Sequence, residues 1–113
     1  MSEKRTPEIF LTDILEAIDS IKNYTQDMEE DEFQGDKKTR DAVIRNLEII
    51  GEATKNLPTE IKEKNPDVNW RVISGMRDKL IHQYFGVSQK IVWETIKSDL
   101  PVFEKQIKKI HKE

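Results

Sequence analysis

The segment from Trp70 to Phe85 carries the side chains with the greatest capacity for chemistry. Arg77, His82 and Tyr84 lie close together within it. A histidine can accept or donate protons near neutral pH because its unperturbed pKa is about 6.5. The forked guanidinium group of an arginine binds and stabilises oxyanions such as phosphates. Singly, each residue has a plainer explanation: a solvated cation, a surface histidine and a core aromatic with its hydroxyl at the rim.

The spacing of Arg77 and His82 indicates that one helix does not aim both side chains at one point. The two residues are five positions apart, which is about 140° around an ideal helix. A second copy of the helix, packed across a two-fold axis, could complete a site from both sides. The helix therefore presents both residues beside a shared seam, to which such a second copy could contribute.

Neighbouring charged residues offer support, and each has a second explanation. Asp78 lies four residues before His82, so the two can form a surface pair, and a histidine near a helix C-terminus is favoured by the helix dipole. A further row follows one face of a predicted helix: Asp41, Arg45, Glu48 and Glu52. This row is either a solvated face with ion pairs or a lining of the seam. Gly51 and Gly75 favour the seam slightly, because a glycine inside a helix costs up to ~1 kcal/mol and a close helix approach would explain it.

Apolar residues at three- and four-residue steps predict the helices that position these groups. We predict a first helix from Thr6 with Pro7 at its first position, a second from about Lys38 to Leu57, a short third over Thr59–Lys64, a fourth from Trp70 to about Phe85 and a fifth after Ser88. The last stripe carries Ile91, Val92 and Ile96 and continues through Leu100 to Ile110. Residues 1–113 should therefore form one all-α domain, an antiparallel bundle of four to five helices.

Three segments are expected to interrupt the helices. The acidic segment Met28–Asp36 is predicted to be a connection, Gly86 to end the fourth helix, and Pro101 to kink or break the last one.

Composition limits the classes of function. The 113 residues carry a net charge of −3 and no cysteine, which excludes disulfides and thiolate metal sites. No run approaches the roughly 20 apolar residues of a membrane span, and we expect a cytoplasmic protein without cofactor or metal. The net negative charge disfavours a general nucleic-acid binder. Any contact with a nucleic acid therefore needs a local cluster of cations such as Arg71, Arg77 and Lys79.

The sequence resembles the HepT-type toxins of the HEPN superfamily of α-helical ribonucleases. The motif Arg77-x4-His82-x-Tyr84 matches the family signature. The resemblance extends, in order and over nearly the whole chain, to the segments Arg45–Ala53, Trp70-Arg71, Gly75–Asp78, Phe85–Val87, Trp93–Thr95 and Leu100-Pro101.

The resemblance implies a dimeric helical bundle that cleaves RNA without a metal, with Arg77 and His82 at the seam and transfer RNA a candidate substrate. It also implies a minimal nucleotidyltransferase antitoxin that transfers AMP to Tyr84. The residue chemistry agrees, because RNA carries its own nucleophile, the 2′-hydroxyl group. The other histidine, His111, lies beside the C-terminus, where we expect poor order, so two chains would supply the acid and the base.

Other readings remain open at this point. The chain could be a non-catalytic module that binds a nucleotide or a protein. The short third helix before Trp70 permits a DNA-binding helix-turn-helix on paper, although the net acidity opposes it. A metal site is weaker, because Asp78 and His82 supply only two ligands.

Overall fold

Seven α-helices and one π-helical segment follow one another in the part of the chain that the computed structural model describes, residues 6–82 and 89–112. For residues 77–82 and for Gln89, only the backbone is described. The helices are α1 (Pro7–Tyr24), α2 (Glu30–Gly35), α3 (Lys37–Lys55), α4 (Thr59–Lys64), α5 (Trp70–His82), α6 (Gln89–Glu94) and α7 (Leu100–Lys112). No strand occurs in the described residues, and the predicted all-α class is confirmed.

The core forms where the apolar stripes of the long helices meet. Helix α3 packs against α1 and α5, and α1 also packs against α7. Ile14 and Ile50 are completely buried and Ile107 is as well, and each such side chain stabilises the fold by about 1.5–3 kcal/mol. The Nζ atom of Lys22 lies 3.3 Å from Oε2 of Glu104, so the end of α1 lies beside the first half of α7, as in an antiparallel pair.

The acidic segment between α1 and α3 is a helix, and the prediction of a plain connection is wrong. Phe33 is its one buried residue, and the Phe33 ring lies 5.2 Å from the ring of Trp93. At the start of the helix, the backbone N–H of Glu29 donates to Oε1 of Glu32 at 3.0 Å. One aromatic anchor and a capped first turn therefore fold a segment that has too few apolar residues for a periodic signal.

Asp36 separates α2 from α3 and caps α3. Its carboxylate accepts hydrogen bonds from the backbone N–H of Thr39 at 3.0 Å and from the Thr39 hydroxyl at 2.8 Å. These two bonds favour the ionised carboxylate and hold the pKa of Asp36 below its usual value. The cap fixes where the helix with the row Asp41 to Glu52 begins.

Pro101 neither breaks nor ends the last helix. The segment Thr95–Asp99 is π-helical, and α7 follows it directly. The backbone N–H of Leu100 donates to the carbonyl of Thr95, a bond one residue longer than in an α-helix. The wider turn accommodates the Pro101 ring, which in a regular α-helix clashes with the carbonyl four residues earlier.

The predicted end of α5 near Phe85, its terminator Gly86 and the cap Ser88 lie outside the described residues. The predicted start of α1 at Thr6, with Pro7 opening the helix, is confirmed. No helix in the described ranges is long and apolar enough to cross a membrane.

Candidate active site

Helix α5 carries the motif. It runs without interruption from Trp70 to His82, so Arg77, Asp78 and His82 lie on one α-helix, as predicted. Over five residues an α-helix rises about 7.5 Å and turns about 140°. The side chains of these three residues and the whole of Tyr84 lie outside the description, and their convergence stays a prediction.

The first turn of α5 is anchored firmly. The indole Nε1 of Trp70 donates to the carbonyl of Asn65 at 2.9 Å, and its ring packs edge-on against Phe103 with 6.3 Å between centroids. Ile73, one turn later, is buried. Contacts with both α3 and α7 therefore fix the axis along which Arg77 and His82 are presented.

The acidic row on α3 lies on one face, and this face is only partly open to solvent. Arg45 is exposed, whereas Asp41, Glu48 and Glu52 are half-buried. The Oε1 atom of Glu52 is buried, and Nζ of Lys37 lies 2.8 Å from Oδ2 of Asp41. A fully solvated face would leave the glutamates open, so the partial burial favours a supporting role, which remains a prediction.

The two helical glycines differ in their surroundings. Gly51 is buried within α3, as expected for a close approach. Gly75 is exposed, and a Cβ atom placed on it would meet nothing within 4 Å. No described residue of the same chain therefore approaches Gly75 closely, and a close approach at a seam between two chains stays a prediction.

His111 is part of α7, which continues to Lys112, so the prediction of a poorly ordered position is wrong. The residue is half-buried. Gln106 Nε2 donates to the carbonyl of Asp67 at 3.4 Å, which places the middle of α7 beside the start of α5. His111 lies further along α7, whereas His82 is 12 residues and about 18 Å from the start of α5. His111 is therefore remote from the motif, and each chain still offers one usable histidine.

A groove that the sequence analysis did not predict runs between α5 and the C-terminal helices. Its volume is about 450 Å³, and its lining includes Val72, Met76, Ile91, Val102 and Phe103. Ile91 was predicted to be core, yet it is 61% exposed. The residues Val92, Ile96 and Leu100 form the buried stripe instead. Ile91 precedes Val92 by one position in the sequence, and its side chain lines the solvent-exposed groove.

The chain matches known proteins over nearly its whole length. Residues 14–110 match the family described as HepT-like, Ribonuclease HepT-like. Two proteins of Methanocaldococcus jannaschii with RNase in their names, MJ1216 and MJ0125, are each 50% identical over 110 residues, which are 97% of this chain and 91% and 95% of the relatives. The "Probable ribonuclease HepT" of Thermococcus cleftensis is 47% identical over 109 residues, 96% of this chain and 99% of that protein. No solved structure matches.

These matches confirm the resemblance to the HepT-type ribonucleases. They cover α3, which carries the acidic row, as well as α5 and most of α7. The family is one of ribonucleases, which favours an enzyme over a non-catalytic module. The chain therefore belongs to the HepT-like ribonuclease family.

Proposed function

We propose that two copies of this chain form a metal-independent endoribonuclease whose active site combines Arg77 and His82 from both copies. The observation that carries the proposal is the unbroken helix from Trp70 to His82. This helix holds both motif residues on one rigid element, and the other histidine of the chain, His111, lies on α7.

The reaction needs only a base, an acid and positive charge. The neutral imidazole of one His82 accepts the proton of the 2′-hydroxyl group, whose oxygen attacks the neighbouring phosphorus. The protonated His82 of the second copy donates its proton to the 5′-oxygen as the phosphorus–oxygen bond breaks. The Arg77 guanidinium groups stabilise the charge that develops on the phosphate oxygens. The products are a 2′,3′-cyclic phosphate and a 5′-hydroxyl end.

Tyr84 is the proposed control point. It follows His82 by two positions, so AMP attached to its hydroxyl would place bulk and negative charge beside the site and repel RNA phosphates. A nucleotidyltransferase antitoxin would transfer the AMP from a nucleoside triphosphate and release pyrophosphate. We therefore propose a cytoplasmic toxin of a toxin–antitoxin pair, with transfer RNA as the first substrate to test. Asp78, Arg45, Glu48 and Glu52 are the proposed supporting residues.

The test is cleavage of total RNA and of transfer RNA by the purified protein, with and without a chelator. We expect the wild type to cut in both conditions and to leave ends that polynucleotide kinase can phosphorylate without prior dephosphorylation. The variants His82→Ala and Arg77→Ala should each lose at least about a hundredfold in rate, the usual scale for removing a general acid–base group or a group that stabilises developing negative charge. The matched control is His111→Ala, which removes the remote histidine and should cleave normally.

Equal cleavage by the wild type and His82→Ala would refute the catalytic assignment, and loss of activity in the chelator would refute the metal-free mechanism. Tyr84→Phe should retain cleavage and resist AMP transfer. If the antitoxin still neutralised that variant by modifying the chain, the control role of Tyr84 would be wrong.

A further inference from the structure

We infer that the outer face of α7 holds the phosphate backbone of a long RNA substrate, outside the active site. Four lysines form this surface, the lysine face: Lys105, Lys108, Lys109 and Lys112. The chain belongs to a ribonuclease family, and the inference rests on the proposed function only for the position of the cut, which His82 marks. It adds a second contact with RNA, remote from the motif.

The four lysines project from α7 on the side opposite the core. Phe103 and Ile107 are buried on the inner side, whereas all four lysines are exposed. At about 100° per residue, the lysine positions fall within an arc of about 100° around the helix. From Lys105 to Lys112 the helix rises about 10 Å, a length that matches about three phosphates of one nucleic-acid strand at ~3.4 Å each. The lysines therefore form one continuous track.

The positive charge of the lysine face is largely free of ion pairs. Glu104 is the one acidic residue of α7, and its Oε2 atom lies 3.3 Å from Nζ of Lys22 and 3.5 Å from Nζ of Lys108. The other three lysines of the face form no ion pair among the described residues. In a chain with a net charge of −3, this face is a local cluster of cations of the kind that a nucleic-acid contact needs.

Helix stability alone does not account for the lysine face. The helix dipole favours lysines near a helix C-terminus, but this effect falls off beyond the last turn. Lys109 and Lys112 lie in the last turn of α7, whereas Lys105 does not. Lys105 lies four positions before Lys109, and like charges at this spacing repel each other and weaken a helix. A polyanion bound along the face would offset this repulsion.

The lysine face begins beside the start of α5 and lies far from the motif. Gln106 donates to the carbonyl of Asp67, so the middle of α7 lies beside the start of α5. The backbone of His82 lies about 18 Å further along α5. An RNA that contacts both must cover roughly 18 Å, which takes at least about five nucleotides at ~3.4 Å each. Because lysines bind phosphates as point charges, the face should select RNA by length and not by sequence.

The experiment compares the full-length double variant Lys105→Gln/Lys109→Gln with the wild type. One assay is filter binding of transfer RNA over a series of salt concentrations, and the other is cleavage of a long RNA that the wild type cuts and of a four-nucleotide RNA with the same cut site. Each lost phosphate contact lowers the slope of log K against log salt by about 1, so the slope should fall by about 2 and KM for the long RNA should rise about tenfold, with little change in kcat. The four-nucleotide RNA should lose less than about twofold in kcat/KM, because it is too short to reach the face.

Two further variants separate the lysine face from net charge and from folding. Lys105→Arg/Lys109→Arg keeps both charges and should bind the long RNA as the wild type does. The matched control Lys38→Gln/Lys55→Gln removes the same charge from exposed positions of α3 and should leave the salt slope unchanged. Circular dichroism establishes that each variant is folded.

Wild-type affinity and salt slope in the Lys105→Gln/Lys109→Gln variant would overturn the inference, and an equal loss in the α3 control would overturn it in favour of a net-charge effect. An equal rise in KM for the four-nucleotide RNA would overturn the remote contact. Unchanged RNA binding with lost binding of polyglutamate would indicate an acidic protein partner instead. Loss of cleavage by His82→Ala at wild-type affinity for RNA supports the proposed function alone, so the two proposals fail separately.

Discussion

Replacing Gly75 with alanine should strengthen the folded chain and weaken the dimer. Gly75 lies inside α5, its φ is not positive, and the new methyl group would meet nothing within 4 Å. The substitution should therefore raise the free energy of unfolding only by the helix preference of alanine over glycine, which is about 0.5–1 kcal/mol. In a chain of this size such a gain raises the melting temperature by roughly 2–4 °C.

The assay is urea denaturation followed by circular dichroism at protein concentrations below the dimer dissociation constant, combined with sedimentation equilibrium at higher ones. Gly35→Ala is the matched control, because Gly35 is also helical with nothing within 4 Å of an added Cβ. It should leave association unchanged. A lower free energy of unfolding for Gly75→Ala would mean that part of the same chain fills the space beside α5. An unchanged dimer dissociation constant would refute the close approach of a second helix.

Three further substitutions test the fold. Phe33→Ala should lower the free energy of unfolding by about 3–5 kcal/mol in urea denaturation, because Phe33 is fully buried; the exposed control Gln34→Ala should change it little, and a small loss for Phe33→Ala would refute the anchoring of α2. Asp36→Ala should lower the melting temperature at neutral pH. The pKa of Asp36 is lowered in the folded chain, so the ionised carboxylate stabilises the fold at pH values above the ordinary carboxyl pKa. The difference in melting temperature between the wild type and Asp36→Ala should therefore vanish as the pH falls through the pKa of the folded chain. A difference in melting temperature that persists at pH 2 would contradict this explanation. Thr54→Val should raise the free energy of unfolding by about 1 kcal/mol, because the Thr54 hydroxyl is buried without a hydrogen-bond partner among the described residues; a loss would mean that the hydroxyl is satisfied.

The long helices were predictable because their apolar stripes and end signals agree. Pro7 opens α1, and α4 lies over Thr59–Lys64 as predicted, between Pro58 and Pro66. Periodicity could not reveal α2, whose stability depends on the tertiary contact between Phe33 and Trp93.

The helix that carries Arg77 and His82 was predictable from the sequence, whereas the roles of these two residues stay predictions. The motif spacing placed Arg77 and His82 on one helix, which α5 confirms for the backbone. The exposure of Ile91 was missed, because a stripe at helical spacing does not say which of two adjacent apolar positions turns away from the core. Whether two chains meet depends on contacts with a second molecule, and the periodicity of one sequence gives no information about such contacts.

The π-helical segment Thr95–Asp99 sets the rotation of α6 relative to α7. Each residue of an α-helix turns the chain by about 100°, so deleting one residue here would swing α6 around its axis by about a quarter turn. Val92 would then leave the core, and Trp93 would lose its contact with Phe33. Relatives that differ in length by one residue at this position should therefore have a differently shaped groove between α5 and the C-terminal helices.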